Sequence, residues 1–532
     1  MPRIRPVPIL AFVSMAALSA ARLGAQGTAD SARAALPIER IAIIRDDVFS
    51  GAESRRWYAR FANRFHAVTR ADRIRGELLL RPGQPYDSTL ALESERNLRR
   101  LGVFGSVRVD SVRTDSGLVL RVRTRDAWST IPWLTVGVSA GEVSVGGGIT
   151  ELNVAGSATA ASVSYSHDPD RWTAGVAYSA PRIIAGRVGV SGAWRRLSDG
   201  RSSFLSVSQP FYSTMSRAAF GLSGSRFDGR VVQYRGGERT PDAILRRRRD
   251  VVAASGAWAL RAGNRSYLRA ALDARIRRDD TVPDTPAGPL PRSVSAALTP
   301  SISFGRTRYR VVHDYQAMTI DEDIDLGTSV SLGMAIAPDA WGYANTAVGP
   351  VVGFATGAPI GSGFVLLGAS MSGLASGGAL DSGTVAARGT VVLHPAPWHA
   401  LILRAEVGRR WDPAAGDEFD LGGLTGPRGF RSHSFTGDQA YLTVAEYRVT
   451  PWRGVFGLAD IGIAGFVDHG GAWYRGEARR TGTSFGGGLR LGSARLAPGA
   501  ATRIDVAWRP ATDVDAGDVV FSVGIGIPII GR

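Results

Sequence analysis

Arg187-Val188-Gly189-Val190-Ser191-Gly192-Ala193-Trp194, then Ser198-Asp199-Gly200, then Ser202-Ser203-Phe204-Leu205-Ser206-Val207-Ser208-Gln209: two segments of alternating small or polar and apolar residues, joined by hairpin-turn chemistry. The same dyad recurs at residues 161–166 and 172–178, and Gly263-Asn264 marks another turn. From about Trp133 to the end no helical period of any length intervenes. Segments of ~10 residues with short turns on one side and longer polar loops on the other are the signature of a transmembrane β-barrel. Residues 519–529 set Phe521, Val523, Ile525, Ile527 and Ile529 on one face and Val520, Ser522, Gly524 and Gly526 on the other, so one face meets lipid. A soluble sandwich or propeller would not favour so many Arg, Asp and Ser residues opposite an apolar stripe. The reading is therefore a mostly-β fold: an antiparallel transmembrane barrel over residues 133–532, preceded by a small α+β domain. About sixteen strands are expected, within a range of about sixteen to twenty, the count being open over residues 133–149.

Arg3 and Arg5, the apolar run at residues 9–18 and Leu23-Gly24-Ala25 predict a secretory signal peptide over residues 1–25, followed by a linker at 26–37. The apolar run is shorter than the ~20 residues a spanning helix needs, and no later run reaches that length, so a membrane form must cross as strands. The 66 glycines alternate with Val, Leu, Ala, Phe and Tyr, unlike low-complexity disorder. With no cysteine, disulfides and thiolate metal sites are excluded. The formal charge of +16 comes entirely from arginine, spread along the chain, so no nucleic-acid partner is expected. The one dense run, residues 246–249, reads as a solvated loop or a rim that contacts headgroups.

Residues 38–126 follow a different pattern. Ile38, Ile41, Ile43 and Ile44 suggest a strand, and residues 55–65 a helix. A Pro/Gly turn at 82–85 leads to Asp87 or Ser88 as the cap of a second helix carrying Leu90, Leu92, Leu98 and Leu101, stopped at Gly102. Val107, Val109 and Val112, then Val119 and Val122, make two strands around Asp115-Ser116-Gly117. This order resembles the polypeptide-transport-associated (POTRA) domain, most closely over residues 80–104. The resemblance implies a periplasmic domain whose sheet edge pairs with unfolded client polypeptides.

Between two late strands, a long loop at residues 410–437 contains Asp420-Leu421-Gly422-Gly423-Leu424-Thr425-Gly426-Pro427-Arg428-Gly429-Phe430-Arg431. It resembles the Arg-Gly-Phe/Tyr motif in the sixth extracellular loop of the BamA/TamA superfamily of outer-membrane assembly and translocation proteins, where five strands follow it. Residues 465–473 resemble that family's Phe-x-Asp-x-Gly strand. The resemblance implies that Arg428 locks into the lumen against Asp468 and Glu446, with Gly429 giving the tight backbone path and Phe430 packing beneath the loop. Pro427 in place of an aliphatic residue and the absence of a terminal aromatic residue depart from the pattern.

No catalytic or metal constellation is found. Gly137-Val138-Ser139-Ala140-Gly141 lacks the strand-to-helix setting of a nucleophile elbow, and the seven histidines lack ligand spacing. Residues 321–325, Asp-Glu-Asp-Ile-Asp, read as a solvated acidic loop. The expectation is thus a non-enzymatic protein of the cell outer membrane, partnered by the bilayer and by unfolded clients, without a cofactor. It would insert client barrels or move polypeptides across the membrane. A two-partner-type secretion pore for a dedicated partner and a passive porin are the alternatives.

Overall fold

Twenty strands among the described residues, from Thr130–Ser139 to Asp518–Ile525, close into one antiparallel barrel. The computed structural model describes residues 36–115, 117–139, 141–183, 187–284, 293–493, 495, 501–511, 517–527 and 529–530. The expected signal peptide, most of the linker, Ser116 and the terminal Gly531-Arg532 lie outside them. The expectation of about sixteen strands is corrected to 20. Residues 133–149 supply two of these strands, Thr130–Ser139 and Glu142–Glu151, which turn at Gly141. Gly146, Gly147 and Gly148 blur the alternation there. A Cβ at Gly148 would stand 2.4 Å from the Val163 carbonyl and 2.9 Å from the Trp133 ring, so close packing requires a bare backbone.

The exterior is apolar row by row. Val163 lies beside Val176, and Val176 beside Trp194, all three exposed. Ala445, Val467, Phe485 and Trp508 continue such a row across four later strands. An exposed apolar girdle around a closed barrel, with no sheet edge left open, is the form a β-protein takes in lipid. Among the described residues no helix is long and apolar enough to cross a membrane.

Residues 246–249 do not form the loop that is one expectation for them: they lie near the start of strand Ala243–Ala262. Arg247 is buried and pairs with Asp279 and Asp417, and Arg249 shares both carboxylates. The strand's alternation turns Arg247 and Arg249 inward, which a charge count cannot reveal.

The N-terminal domain is a mixed three-stranded sheet. Leu118–Asp126 is central, parallel to Ile38–Asp46 and antiparallel to Phe104–Arg113. Helices Trp57–Phe65, Ala71–Glu77 and Ser88–Arg100 precede the hairpin. Ala71–Glu77 goes unread in the sequence because, of its seven residues, only Ile74 is a large apolar one. The core gathers Ile74, Leu98, Leu120 and Val122. The Asp87 side chain accepts from the amides of Thr89 at 2.7 Å and Leu90 at 3.3 Å, capping Ser88–Arg100 as expected. Asp87→Ala should cost about 1 kcal/mol, seen as faster amide exchange in that helix's first turn with the barrel unaffected.

This domain lies across one end of the barrel, here called the proximal end. Glu77 meets Arg182, Glu93 accepts from Ser213 and Thr214, and Arg495 reaches Glu53 and the Val48 carbonyl. Residues 308–327 also fold at this end, as a hairpin of Tyr309–Val312 and Glu322–Asp325. This overturns the solvated acidic loop expected at 321–325. Glu322 accepts from the Tyr315 and Gln316 amides, Asp325 from Arg308 and Gly327, and Asp323 from Arg99 of the N-terminal domain. Three of the four acids thus serve the hairpin or its docking, and Asp321 stays exposed beside His313.

Candidate functional site

Strand His399–Trp411 runs to the distal end, where the chain turns back into the lumen before rejoining the wall at Gln439–Val455. The inserted loop carries its own small hairpin, Phe419–Leu421 against Phe435–Gly437. Phe419, Leu421, Phe430 and Phe435 bury together against Ala440 and Ala472 of the wall. That apolar knot fixes the loop so that its next residues reach the inner wall in one geometry.

Arg428 is 3% exposed. Its Nε and Nη2 donate to the two carboxylate oxygens of Asp468 at 2.6 and 2.7 Å, a fork-to-fork pair, and its backbone N–H donates to Asp468 at 3.1 Å. Nη1 donates to Glu446 at 2.9 Å and to Asp505 at 3.3 Å. The guanidinium lies 3.4 Å from the centre of the Phe466 ring. Gly429 takes φ +89°, and a Cβ there would press on Ala507 at 3.3 Å. The Phe430 ring lies where a Cβ on Gly482 would stand, at 2.2 Å. Thus Arg428, Glu446 and Asp468 are brought together, with Gly429 and Phe430 beside them.

Sequence reasoning missed the rest of the cluster. Glu446 also accepts from Arg448 at 2.6 Å and from Arg490 at 2.8 and 3.0 Å. Asp505 accepts from Arg490 at 2.6 Å and Arg503 at 2.8 Å. Arg490 between Leu489 and Leu491, and Asp505 between Ile504 and Val506, are charges at inward places of apolar strands, the one signal that could have found them.

The loop also touches the place where the barrel closes. Among the described residues three pairs align between the first strand and the last, Phe521 with Val138, Ser522 with Gly137 and Val523 with Val136. The neighbouring ladders run to eight and ten pairs. On the inner side Leu424 lies over Gly137 of the first strand, and Gly429 faces Val520 of the last. The last strand ends at Ile525, not at 529 as its alternation suggests. Gly526 takes φ +68°, and the tail turns into the lumen. There the Ile529 carbonyl accepts from the Gly426 amide, and the Ile530 amide donates to Glu406.

At the distal end His433 stacks on Tyr234 at 3.9 Å and contacts Asp420 at 2.6 Å and Asp170 at 3.3 Å. Burial pushes the imidazole pKa down, but the two carboxylates outweigh it and hold it up at about 10. Because the folded value lies above the unfolded one of about 6.5, this contribution to stability is complete below that pH and is lost as pH rises through about 10. A spin label at Ser432→Cys, in a chain otherwise free of cysteine, should stay immobile through neutral pH and loosen on approach to about 10. His433→Phe, which keeps a ring but no charge, should remove that transition.

Five barrel strands follow the loop. No protein-family description matches the chain, and no curated protein matches it by sequence. Solved structures similar to it include BamA from Haemophilus ducreyi lacking POTRA domains 1–3, at 12% identity and TM-score 0.37, covering 91% of this chain and 84% of that one. CdiB from Escherichia coli gives 10%, TM-score 0.48 and coverage of 93% and 77%. CdiB from Acinetobacter baumannii gives 11%, 0.42, and 92% and 73%.

Proposed function

We propose that this chain is an outer-membrane assembly or translocation factor of the BamA/TamA type, which inserts client barrels or moves polypeptides across the membrane. The carrying observation is the closure of the barrel by three residue pairs among the described residues, with the inserted loop braced against both closing strands. A backbone group that loses its partner in lipid is costly, so a wall is least expensive to open where its ladder is shortest, and the freed edges can template an incoming strand. The Arg428 cluster would hold the loop in place while the seam works. On this reading the proximal end is periplasmic, and strand Ile38–Asp46, an outer strand of the POTRA-like sheet, offers an edge to extended clients.

A passive porin accounts poorly for the contents of the lumen. A barrel of this strand number is too wide for wall side chains to fill, and here the long loop, the tail and the proximal hairpin enter it. The test is protease-protected insertion of an unfolded barrel client into liposomes carrying the purified protein, wild type against Arg428→Ala. Faster insertion than in empty liposomes, reduced by the substitution, is expected. No acceleration together with steady ion conductance would sink the proposal in favour of a pore.

A further inference from the structure

Helix Trp57–Phe65 shows opposite faces to two environments. Ala59 and Ala62, with Tyr58, pack on Val48, Phe49 and Trp128 of the domain and on Leu458 of a barrel turn. Asn63 ties the helix further, donating to the Phe49 carbonyl at 2.8 Å and accepting from its amide at 3.2 Å. The helix therefore cannot roll. Its other face carries Trp57, Phe61 and Phe65, which are 75%, 59% and 64% exposed. At spacings of four residues they form one stripe, with the Phe61 and Phe65 rings 4.9 Å apart. Among the described residues nothing of the chain's own core covers this stripe.

Its surroundings identify what does. The Tyr58 hydroxyl donates to the Phe456 carbonyl at 3.0 Å, and Arg56 reaches the same oxygen at 3.4 Å. Phe456 stands at the proximal turn between strands Gln439–Val455 and Ala459–Trp473, with its side chain outward and 79% exposed. Trp452, just before that turn, pairs across the ladder with Ile461, whose face continues through the exposed Ile463 and Val467. Trp398 lies exposed at the adjacent proximal turn. The helix is thus fastened to the rim of the lipid-facing wall, and its stripe extends that wall's aromatic border sideways. Arg55, Arg56, Arg60 and Arg64 are exposed around the stripe, placed to meet phosphodiester headgroups while the rings enter the acyl boundary.

We infer that helix Trp57–Phe65 is an interfacial membrane element, docking its aromatic face into the phospholipid leaflet at the proximal end of the barrel. It holds the N-terminal domain at a fixed tilt beneath the loops it touches. The inference rests on the barrel's residence in lipid and not on insertion or transport of clients, so a failed client assay leaves it standing.

A single cysteine can be introduced without background, since the chain has none. The full chain carrying Phe61→Cys, labelled with an environment-sensitive fluorophore, is placed in phosphatidylethanolamine/phosphatidylglycerol vesicles containing acyl-brominated lipid. Asp115→Cys, in the turn between the domain's last two strands at the end away from the barrel, is the control. The label at 61 is expected to lose most of its emission to the brominated chains and the label at 115 almost none. Adding Trp57→Ser and Phe65→Ser, with the folded barrel verified by gel mobility, should reverse most of the loss at 61. Equal quenching at the two sites, or quenching at 61 that survives the double substitution, overturns the inference. So does a label at 61 that brominated lipid leaves bright while its emission shifts with protein concentration, which would assign the stripe to a second copy of the chain.

Discussion

Glu446→Ala is expected to destabilise the folded barrel by about 3–5 kcal/mol, the cost of breaking a buried ion pair from one side. The carboxylate is 1% exposed and accepts from Arg428, Arg448 and Arg490 together. In the surrounding cluster four guanidiniums, of Arg428, Arg448, Arg490 and Arg503, face three carboxylates, of Glu446, Asp468 and Asp505. Removing Glu446 sets four buried cations against two buried anions. Arg428→Ala should be milder for a reason visible in the same bonds. Glu446 would keep Arg448 and Arg490, and Asp505 would keep Arg490 and Arg503, so Asp468 alone loses its charged partner. The double variant Arg428→Ala/Asp468→Ala should therefore regain part of what Arg428→Ala loses, the mark of coupled neighbours. Urea unfolding in detergent, followed by the mobility shift of the folded barrel, measures all four proteins. A Glu446→Ala barrel as stable as wild type would remove the cluster from the account of what holds the loop.

How far the sequence reveals this arrangement depends on the range of each interaction. The barrel is legible because alternation is local: residues 187–194 and 202–209 display it with their turn, and the strands Gly189–Leu197 and Gly200–Gln209 fall there. The glycines at 146–148 blur strand Glu142–Glu151 for reasons that lie on its neighbours: Thr135 crowds the place of a Cβ at Gly146, and the Trp133 ring and the Val163 carbonyl crowd that at Gly148. Arg428, Glu446 and Asp468 can be nominated from a motif. Their companions Arg490 and Asp505 look like any pore-lining charge until the ladder sets residues 446, 468, 490 and 505 on the inner face of four neighbouring strands. Ile527 and Ile529 mislead most, since they continue the apolar alternation past the place where Gly526 turns the backbone, and whether a strand continues is decided by what waits in the lumen.

The proximal hairpin is the second place where a large effect is expected. Leu326 donates to the Arg308 carbonyl at 2.8 Å, so the two ends of the insertion already meet and residues 309–325 can be replaced by a short Gly-Ser link without stretching the barrel. In the intact protein Tyr315, Ala317 and Met318 are buried at the mouth, where Tyr315 packs with Phe364, Val392 and Ile402. The Tyr315 carbonyl accepts from Arg448 at 2.7 Å, and Gln316 accepts from Ala501 at 2.8 Å. Met318 lies 2.8–2.9 Å from where a Cβ would stand on Gly462 and Gly492, so two wall glycines leave room for it. Outside, Asp323 joins the hairpin to Arg99 by two bonds of 2.7 Å. A segment held by the wall on one side and by the N-terminal domain on the other depends on no contact with the long loop, and it is expected to obstruct the passage for ions by itself. Its replacement is expected to turn a bilayer record of rare, brief openings into a steady conductance. Asp323→Arg, which repels Arg99 but leaves the buried tip in place, should give flicker between the two levels. A replaced barrel that conducts no more than wild type, while still migrating as folded, would mean that the distal loop alone closes the lumen and that the hairpin only positions the domain.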